Sequence, residues 1–293
     1  MNAQVFPAAT LAALGDAYPL MPTKLGHSLL SHPLLSLAAL EALACALPAD
    51  SVEFNPGKLP IGIAPDDVPV ASLGVAETIR TIERSSSWVA LKRIEQLPAY
   101  ADLLDTILAE LEPIVKPVSG EMLLHEGFIF ISSPGSVTPF HFDPEHNVLL
   151  QVQGSKTMTI FPASDEELIS PTVHEAFHVG KHHRNLAWRE EFAARGEAIT
   201  IGPGQAIHVP PKSPHWVANG PDVSVSLSVT WRSRWSFAEA DARAFNALLR
   251  QAGLNPRRPS SFPGRNLGKS LAYRVIRRMG GLPKQGGQSG PGA

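Results

Sequence analysis

The stretch GFIFISSPGSVTPFHFD, residues 127–143, joins a run of β-forming side chains to a histidine and an aspartate two positions apart. It belongs to a series of short β-rich segments, separated by Gly and Pro, at residues 122–124, 128–132, 147–153, 156–161, 198–201, 206–209 and 223–231. Many short strands with turn signals between them are typical of an antiparallel sandwich or barrel. We therefore predict a mainly β core, a jelly-roll barrel, over residues 118–235.

Helical patterns precede this core. Residues 1–117 are predicted to form a mostly helical region that packs on the barrel. Apolar residues recur at helical spacing over 35–46 and, with a restart at Pro98, over 75–114. An Asn-Pro-Gly turn separates two short predicted strands, at residues 52–54 and 61–63.

The C-terminal part differs in composition from the rest of the chain. A helix is predicted over residues 236–254, followed by a basic, partly disordered tail over 255–293 that contains a short amphipathic helix at 269–279. The 52 residues after Asp241 contain ten basic residues and no acidic one, whereas the first 241 contain 15 basic and 27 acidic residues. Such a tail either docks on the acidic body of the same chain or contacts an anionic partner.

Length and composition exclude several classes of protein. With 293 residues, 44% hydrophobic and 18% charged, the chain can bury a full core, which excludes a disordered or fibrous protein. The single cysteine, Cys45, excludes an intrachain disulfide and any multi-cysteine metal site. The N-terminus has no signal-peptide pattern, and polar residues and a proline interrupt the most apolar stretch, residues 29–47. We expect a soluble, cytoplasmic protein without a membrane span.

The segment His141-Phe142-Asp143 is a candidate metal site. If it is extended, side-chain alternation places His141 and Asp143 on one face and Phe142 on the other. A histidine and a carboxylate on one face supply two thirds of the 2-His-1-carboxylate triad that holds Fe(II). The third ligand must be a distant histidine, for which His215 is favoured and His208 is the rival. Most isolated HxD pairs, however, are surface pairs.

Two further segments bear on this site. Lys156 begins an alternating strand on which Met158 and Ile160 share its face, and an inward lysine needs an anionic partner such as a dicarboxylate. The alternative is a lysine at the strand end that reaches solvent. Residues 223–230 alternate valine or leucine with hydroxyl side chains, so that the hydroxyl face meets either solvent or a polar pocket.

Residues 165–195 are predicted to be an insertion between strands, rich in histidine and charge. The insertion contains four histidines: His174, His178, His182 and His183. They could form an accessory metal site, belong to a flexible lid over the substrate or be plain surface side chains, and we favour the last two interpretations.

Residues 127–143, followed by Asn147 and Lys156, resemble the JmjC/cupin-like Fe(II)- and 2-oxoglutarate-dependent oxygenases. The likeness spans roughly residues 122–231 and is greatest to the branch that contains the asparaginyl hydroxylase of hypoxia-inducible factor. In that branch a threonine before the HxD motif, an asparagine after it and a lysine on the next strand contact 2-oxoglutarate, and Thr138, Asn147 and Lys156 match them. Residues 202–220 resemble the family's distal-histidine region, which assigns the third iron ligand to His215.

The resemblance implies a double-stranded β-helix barrel with helices outside it, which binds Fe(II), 2-oxoglutarate as cosubstrate and O₂. The implied metal ligands are His141, Asp143 and His215. The chain departs from the asparaginyl hydroxylase on the strand after His215. The asparaginyl hydroxylase has an asparagine on this strand and the present chain does not, so Ser228 or Thr230 is expected to make the contacts of that asparagine. The helix at 237–252 is a candidate homodimer surface, as in relatives.

The leading hypothesis is therefore a dioxygenase that hydroxylates a protein or peptide side chain and releases succinate and CO₂. Other substrates are a small molecule or an RNA, and demethylation of an N-methyl group would use the same chemistry. Two alternatives involve no turnover: a cupin-type sensor or regulatory binding module, and a nucleic-acid-binding protein that uses the basic tail.

Overall fold

The computed structural model describes residues 4–57, 59–64, 67 and 73–280. Seven α-helices lie in these ranges: α1 Ala8–Ala17, α2 Leu37–Ala46, α3 Val75–Arg80, α4 Pro98–Ser119, α5 Pro171–Phe177, α6 Arg234–Gln251 and α7 Leu267–Gly280. Eleven strands lie there too: β1 Thr23–Gly26, β2 Val52–Pro56, β3 Ser87–Lys92, β4 Leu123–Ser132, β5 Val137–His141, β6 His146–Gln153, β7 Lys156–Ile160, β8 Glu197–Ile201, β9 Gln205–Val209, β10 His215–Asn219 and β11 Ser224–Arg232. The predicted disordered end, including Lys284, lies outside the described residues.

The strands form two antiparallel sheets that face each other. The larger has the order β1-β9-β6-β11-β4-β3-β2, and the smaller has the order β5-β10-β7-β8. Apolar side chains of both sheets meet in the space between them, among them Leu149 and Ile207 of the larger sheet and Met158 and Val217 of the smaller. Leu149, Met158 and Val217 also line the cavity of the candidate site. Strand order and antiparallel pairing are those of a double-stranded β-helix, as predicted.

Helix α4 covers the outer face of the larger sheet. Its apolar residues recur every three or four positions, and Leu104, Ile107 and Leu111 are buried against Ile129 and the neighbouring strand residues. Each side chain of this kind contributes about 1.5–3 kcal/mol when fully buried. This cluster anchors α4 on the outside of the barrel, while β1, β2 and β3 of the N-terminal region join the larger sheet itself.

Two local predictions in the N-terminal region were wrong. Residues 87–92 lie in the stretch predicted to be helical, yet they form β3, which pairs with β2 on one side and β4 on the other. The spacing of Val89 and Leu91 fits a strand as well as a helix, and pairing with β4 decides between them. Residues 61–63 form no strand: they lie in a turn in which the Ile63 N–H donates to the Pro60 carbonyl.

The C-terminal helices α6 and α7 pack on each other, and α6 also packs on α5. Helix α6 begins with reciprocal hydrogen bonds between Ser233 and Ser236, and ends just before Gly253, whose φ of +80° suits glycine. Nine of its 18 residues are buried and only Arg234 and Gln251 are exposed, so much of the predicted dimer surface on α6 is covered within the same chain. A homodimer stays a prediction. No helix in the part of the chain that the structure describes is long and apolar enough to cross a membrane.

Three arginines of the C-terminal part pair with carboxylates of the same chain. Arg250 Nε lies 2.6 Å from Glu175, Arg258 Nη1 lies 3.0 Å from Glu166, and Arg274 Nε lies 2.6 Å from Asp241. These contacts favour docking on the body of the chain for this part of the tail, and an anionic partner stays a prediction. On its other side, α7 leaves apolar side chains exposed, among them Leu267, Leu271 and Met279.

Candidate metal centre

A β-bulge in the smaller sheet brings Thr138 and His141 to the same side of β5. His141 pairs with His215 of β10 but Thr138 pairs with Val217, so three steps along β5 match two along β10. Side chains three positions apart on a regular strand point to opposite faces, and the extra residue of the bulge reverses this. Both side chains therefore line the cavity inside the barrel, and Asp143 lines it from just beyond the strand.

His141, Asp143 and His215 converge at one end of this cavity. One ligand atom from each lies within 4.8 Å of the others, and each histidine Nε2 lies 3.8 Å from Asp143 Oδ2. Both imidazoles are 3% exposed. Within the described ranges this is the only group of three His, Cys, Asp or Glu side chains close enough to hold one ion.

Backbone hydrogen bonds orient both histidines as metal ligands. His141 Nδ1 lies 2.7 Å from the Pro139 carbonyl, and His215 Nδ1 lies 2.9 Å from the Ser213 carbonyl. Each Nδ1 must carry the proton to donate to a carbonyl, which leaves the Nε2 lone pair pointing at the cluster. Burial, followed by the neighbouring His215, lowers the pKa of His141 to about 3, so its ring is neutral. The donor set fits a divalent transition metal such as Fe(II).

Arg184 is the residue of this site that the sequence did not predict. Its guanidinium donates from Nη1 to Asp143 Oδ1, which leaves Oδ2 facing the two histidines. Burial raises the pKa of Asp143, but the charge and the hydrogen bond of the Arg184 guanidinium act against burial, and the pKa lies below its ordinary value. The carboxylate is thus ionised and held in an orientation suited to binding a metal through one oxygen.

The segment that carries Arg184 runs beside the HxD motif. The Phe142 N–H donates to the Arg184 carbonyl at 3.2 Å, the Leu186 N–H donates to the Phe140 carbonyl at 2.8 Å, and His141 and Asn185 form an isolated β-bridge. This contact holds residues 184–186, within the predicted insertion at 165–195, against β5. A basic residue directly after the last histidine of the insertion was the signal in the sequence, but no local pattern indicated which carboxylate it would meet.

Lys156 points into the same cavity and is 4% exposed. Its ammonium donates to Ser226 Oγ at 2.7 Å, and no carboxylate of the described residues lies within ion-pair distance. Burial lowers its pKa to about 7. A buried amine without an anionic partner is costly, and an anion bound in the cavity would supply that partner.

The other predicted contact residues line the same cavity: Thr138, Asn147, Ser228 and Thr230. Ser228 donates to Asn147 Oδ1 at 2.9 Å, and Thr230 donates to the Glu126 carbonyl at 3.1 Å. The hydroxyl face of β11 therefore meets a polar pocket rather than solvent. The space at the centre is about 60 Å³, enough for a handful of water molecules.

Larger side chains that the sequence did not single out complete the wall: Trp88, Glu126, Phe128, Phe130 and Glu145. Burial, with the charges of Glu145 and Glu95, raises the pKa of Glu126 to about 7. These residues belong to strands β3 and β4 and to the turn before β6, which no motif connects to the HxD segment.

His208, the rival third ligand, lies outside the cluster. It follows Ile207 on β9, and since Ile207 faces the interior between the sheets, His208 faces the helical side. There its Nδ1 lies 3.1 Å from the Met21 carbonyl, and its ring packs at 5.4 Å from the ring of Tyr18.

The four histidines of the insertion divide into two pairs. His174 and His178 are 3% and 8% exposed, so the prediction of surface histidines was wrong for these two. Their burial follows from the aromatic cluster beneath the insertion, because the His174 ring lies 4.8 Å from Phe142 and the His178 ring lies 5.1 Å from Phe177. His183 is exposed and His182 is half-buried.

Fold and site together define a double-stranded β-helix protein with a candidate metal centre, and sequence comparison gives the family. The family model described as "Cupin-like domain" matches residues 79–237, more than half of the chain. The chain belongs to this family. The predicted family and fold class are confirmed.

Among curated relatives, "Jumonji C domain-containing protein 5" of Drosophila melanogaster is 30% identical over 108 residues, which cover 33% of this chain and 26% of that protein. "Lysine-specific demethylase 8" of Xenopus tropicalis is 30% identical over 103 residues, covering 33% and 23%. "HSPB1-associated protein 1" of Homo sapiens is 32% identical over 135 residues, covering 43% and 27%. The matches thus span about a quarter of the length of these relatives.

Solved structures share the fold. The X-ray structure of ycfD from Escherichia coli has a TM-score of 0.54 at 14% identity, covering 96% of this chain and 71% of that chain. A structure described as YcfD, a ribosomal oxygenase from Escherichia coli, in complex with cobalt and 2-oxoglutarate has a TM-score of 0.50 at 14% identity, covering 94% and 68%. At this identity the likeness concerns the fold alone.

Proposed function

We propose that this chain is an Fe(II)- and 2-oxoglutarate-dependent dioxygenase that hydroxylates a protein or peptide side chain, with release of succinate and CO₂. One observation carries the proposal: His141, Asp143 and His215 converge at one end of a cavity whose other end presents Lys156, a buried amine without a carboxylate partner among the described residues. A metal-binding triad and a separate cationic group suit a cosubstrate that is both a chelator and a dicarboxylate.

The metal ligands and Arg184 have separate roles in the proposed reaction. His141, Asp143 and His215 would hold the ferrous ion, and Arg184 keeps the Asp143 carboxylate turned toward the two imidazoles. When bound, iron and 2-oxoglutarate supply the oxidising chemistry, in which decarboxylation to succinate is coupled to hydroxylation.

The cosubstrate contacts are assigned to both sheets. Lys156 and Thr138, on the smaller sheet with the two histidines, would bind the far carboxylate of 2-oxoglutarate. Asn147 and Ser228, on the larger sheet, would contact the cosubstrate beside the metal, and Thr230 lines the same side. The apolar side chains Leu149, Met158 and Val217 exclude water from the inner end of the cavity.

A protein or peptide substrate is the choice that the relatives support. Their printed names include a lysine-specific demethylase and a ribosomal oxygenase, both of which imply macromolecular targets. Hydroxylation and demethylation differ in product, because a hydroxylated N-methyl group releases formaldehyde. A cytoplasmic location belongs to the same proposal.

The proposal is tested by anaerobic addition of Fe(II) and 2-oxoglutarate to the full chain. We expect a visible charge-transfer absorption in the wild type and none in Asp143→Ala, since the variant lacks one of three ligands. His183→Gln is the matched control, because it removes an exposed imidazole of the insertion and should leave the band unchanged. Absence of the band in the wild type would refute the proposal.

Turnover separates an oxygenase from a non-catalytic cupin-type module. In air, the iron-loaded wild type should form succinate from 2-oxoglutarate, because uncoupled decarboxylation needs no prime substrate. Succinate formation no faster than in Asp143→Ala would favour the binding module. Mass spectrometry of a treated host lysate would then identify peptides that gain one oxygen atom, and a formaldehyde assay would detect demethylation.

A further inference from the structure

Helix α7 presents large apolar side chains to solvent. They recur every four positions and form an apolar stripe, with exposed fractions as follows: Leu267 63%, Leu271 65%, Val275 45% and Met279 83%. At roughly 100° of rotation per residue, the four side chains stay within about 120° of one another around the helix, over a length of about 18 Å. Contiguous exposed apolar side chains of this kind mark a surface that contacts another molecule.

The face of α7 that packs on the protein is a different one. Ser270 and Tyr273 are the buried residues of this helix, and they lie about 150° around it from the centre of the apolar stripe. Ser270 Oγ donates to the Asp241 carboxylate at 2.8 Å, and Arg274 Nε donates to the same group at 2.6 Å. An amphipathic helix ordinarily packs its apolar face on the core and leaves its polar face in water. In α7 polar groups dock the helix, and the apolar stripe is left for another surface.

Positive charge accompanies the apolar stripe. Residues 242–280 contain nine basic residues and no acidic one. Arg277 and Arg278 have no carboxylate of the described residues within ion-pair distance. Around the helix, Arg278 points in a direction between those of Leu267 and Leu271, about 20° from each, and it is exposed. The surface that meets α7 must therefore offer both apolar contact and negative charge.

Three other occupants meet these two requirements less well than a lipid surface does. A second copy of α7, packed stripe to stripe, would bring the arginines of both copies together with no carboxylate of α7 to separate them. A nucleic acid offers phosphates but no apolar surface for four large side chains. Residues 281–293 contain one large aliphatic side chain, Leu282, which is too few to cover the stripe.

We propose that α7 binds the surface of a bilayer that contains anionic lipids. The apolar stripe enters the boundary between headgroups and acyl chains, and Arg277 and Arg278 contact the anionic headgroups. With 14 residues, α7 is too short to cross the bilayer and lies in the plane of its surface. This binding goes beyond the proposed oxygenase reaction, because no residue of α7 lines the metal cavity.

The test is sedimentation of the full chain with vesicles of phosphatidylcholine alone, and with vesicles in which about a third of the lipid is phosphatidylglycerol. We expect at least tenfold tighter binding to the anionic vesicles at low salt. Most of this preference should vanish at about 1 M salt, which screens charges beyond about 3 Å. Leu271→Gln should weaken binding at least fivefold because it removes an apolar contact, and Arg278→Gln should weaken binding severalfold to the anionic vesicles alone.

Matched controls come from exposed residues outside α7. Leu30→Gln and Arg84→Gln make the same chemical changes there and should leave vesicle binding unchanged. Equal binding to both kinds of vesicle, binding to neither, or full binding by Leu271→Gln would overturn the proposal. So would a wild-type dimer, seen by sedimentation velocity without lipid, that Leu271→Gln dissociates, because the stripe would then pair with a second copy. None of these results would affect the proposed oxygenase function, since succinate formation is measured without lipid.

Discussion

Lys156 lowers the stability of the protein in the absence of an anion. Burial lowers the pKa of Lys156 to about 7, whereas the amine is protonated at pH 7 in the unfolded chain. Folding at this pH therefore either buries a charged ammonium or removes its proton, and both cost free energy. We predict that Lys156→Met raises the free energy of unfolding by roughly 1–3 kcal/mol near pH 7. The gain should shrink toward pH 10, where the unfolded lysine also loses its proton.

Chemical denaturation at pH 7 and pH 9.5 measures this difference. Lys24→Met is a control, because the Lys24 ammonium donates to the Thr200 carbonyl at the surface. Equal effects of the two substitutions, or a destabilised Lys156→Met at both pH values, would contradict the stated cost of burial.

The affinity for 2-oxoglutarate is predicted to depend on pH through the same amine. The protonated form binds the carboxylate, and its population in the free protein falls about tenfold per pH unit above a pKa of about 7. The dissociation constant should therefore rise from pH 7 to pH 9, measured by calorimetry on the manganese-loaded protein. Lys156→Arg, whose guanidinium keeps its charge, should show a flat profile. A flat profile in the wild type would exclude this role.

At the scale of the elements, the turn between β6 and β7 depends on Gly154. Its φ is +66°, and an added Cβ would lie 2.3 Å from the Val223 carbonyl oxygen, in the turn before β11. We predict that Gly154→Ala lowers the free energy of unfolding by about 2–4 kcal/mol. Gly135→Ala is the matched control, since Gly135 has φ +68° but nothing within 4 Å of the added Cβ, and its cost should be about 1 kcal/mol. Equal losses of stability for the two variants in thermal denaturation would show that the close approach to the Val223 carbonyl is unimportant.

The sequence predicted elements well where one face is apolar and local signals agree. Strands β4, β6, β7, β8, β9 and β11 and helices α4 and α6 follow from period and from Gly and Pro punctuation, and the face shared by His141 and Asp143 follows from alternation. Strands β5 and β10, which carry His141 and His215, were not among the predicted strands. What local patterns miss is tertiary pairing: β3 forms because β2 and β4 flank it, and the bulge in β5 comes from its register with β10. Arg184 meets Asp143 only because the insertion folds back on β5, a contact 41 residues apart in sequence.

At the scale of the whole molecule, Asp241 of α6 holds the C-terminal helix α7 in place. Its buried carboxylate accepts hydrogen bonds from Ser270 Oγ at 2.8 Å and from Arg274 Nε at 2.6 Å. We predict that Asp241→Asn lowers the free energy of unfolding by about 1–3 kcal/mol and speeds amide hydrogen exchange within residues 267–280. Asp16→Asn, an exposed isosteric change in α1, should do neither. Unchanged exchange in α7 would mean that its apolar contacts alone hold it.

The short β-bridge between His141 and Asn185 makes the insertion a structural part of the metal centre. A surface loop that covers a site without contacting its ligands tolerates changes in length and sequence. Here, one residue added or deleted within residues 184–186 would shift their register on residues 140–142 and move the Arg184 guanidinium away from the Asp143 carboxylate. Chimeras built on this scaffold must therefore keep the pairing register of residues 184–186 with residues 140–142, whereas the rest of the transplanted loop can differ.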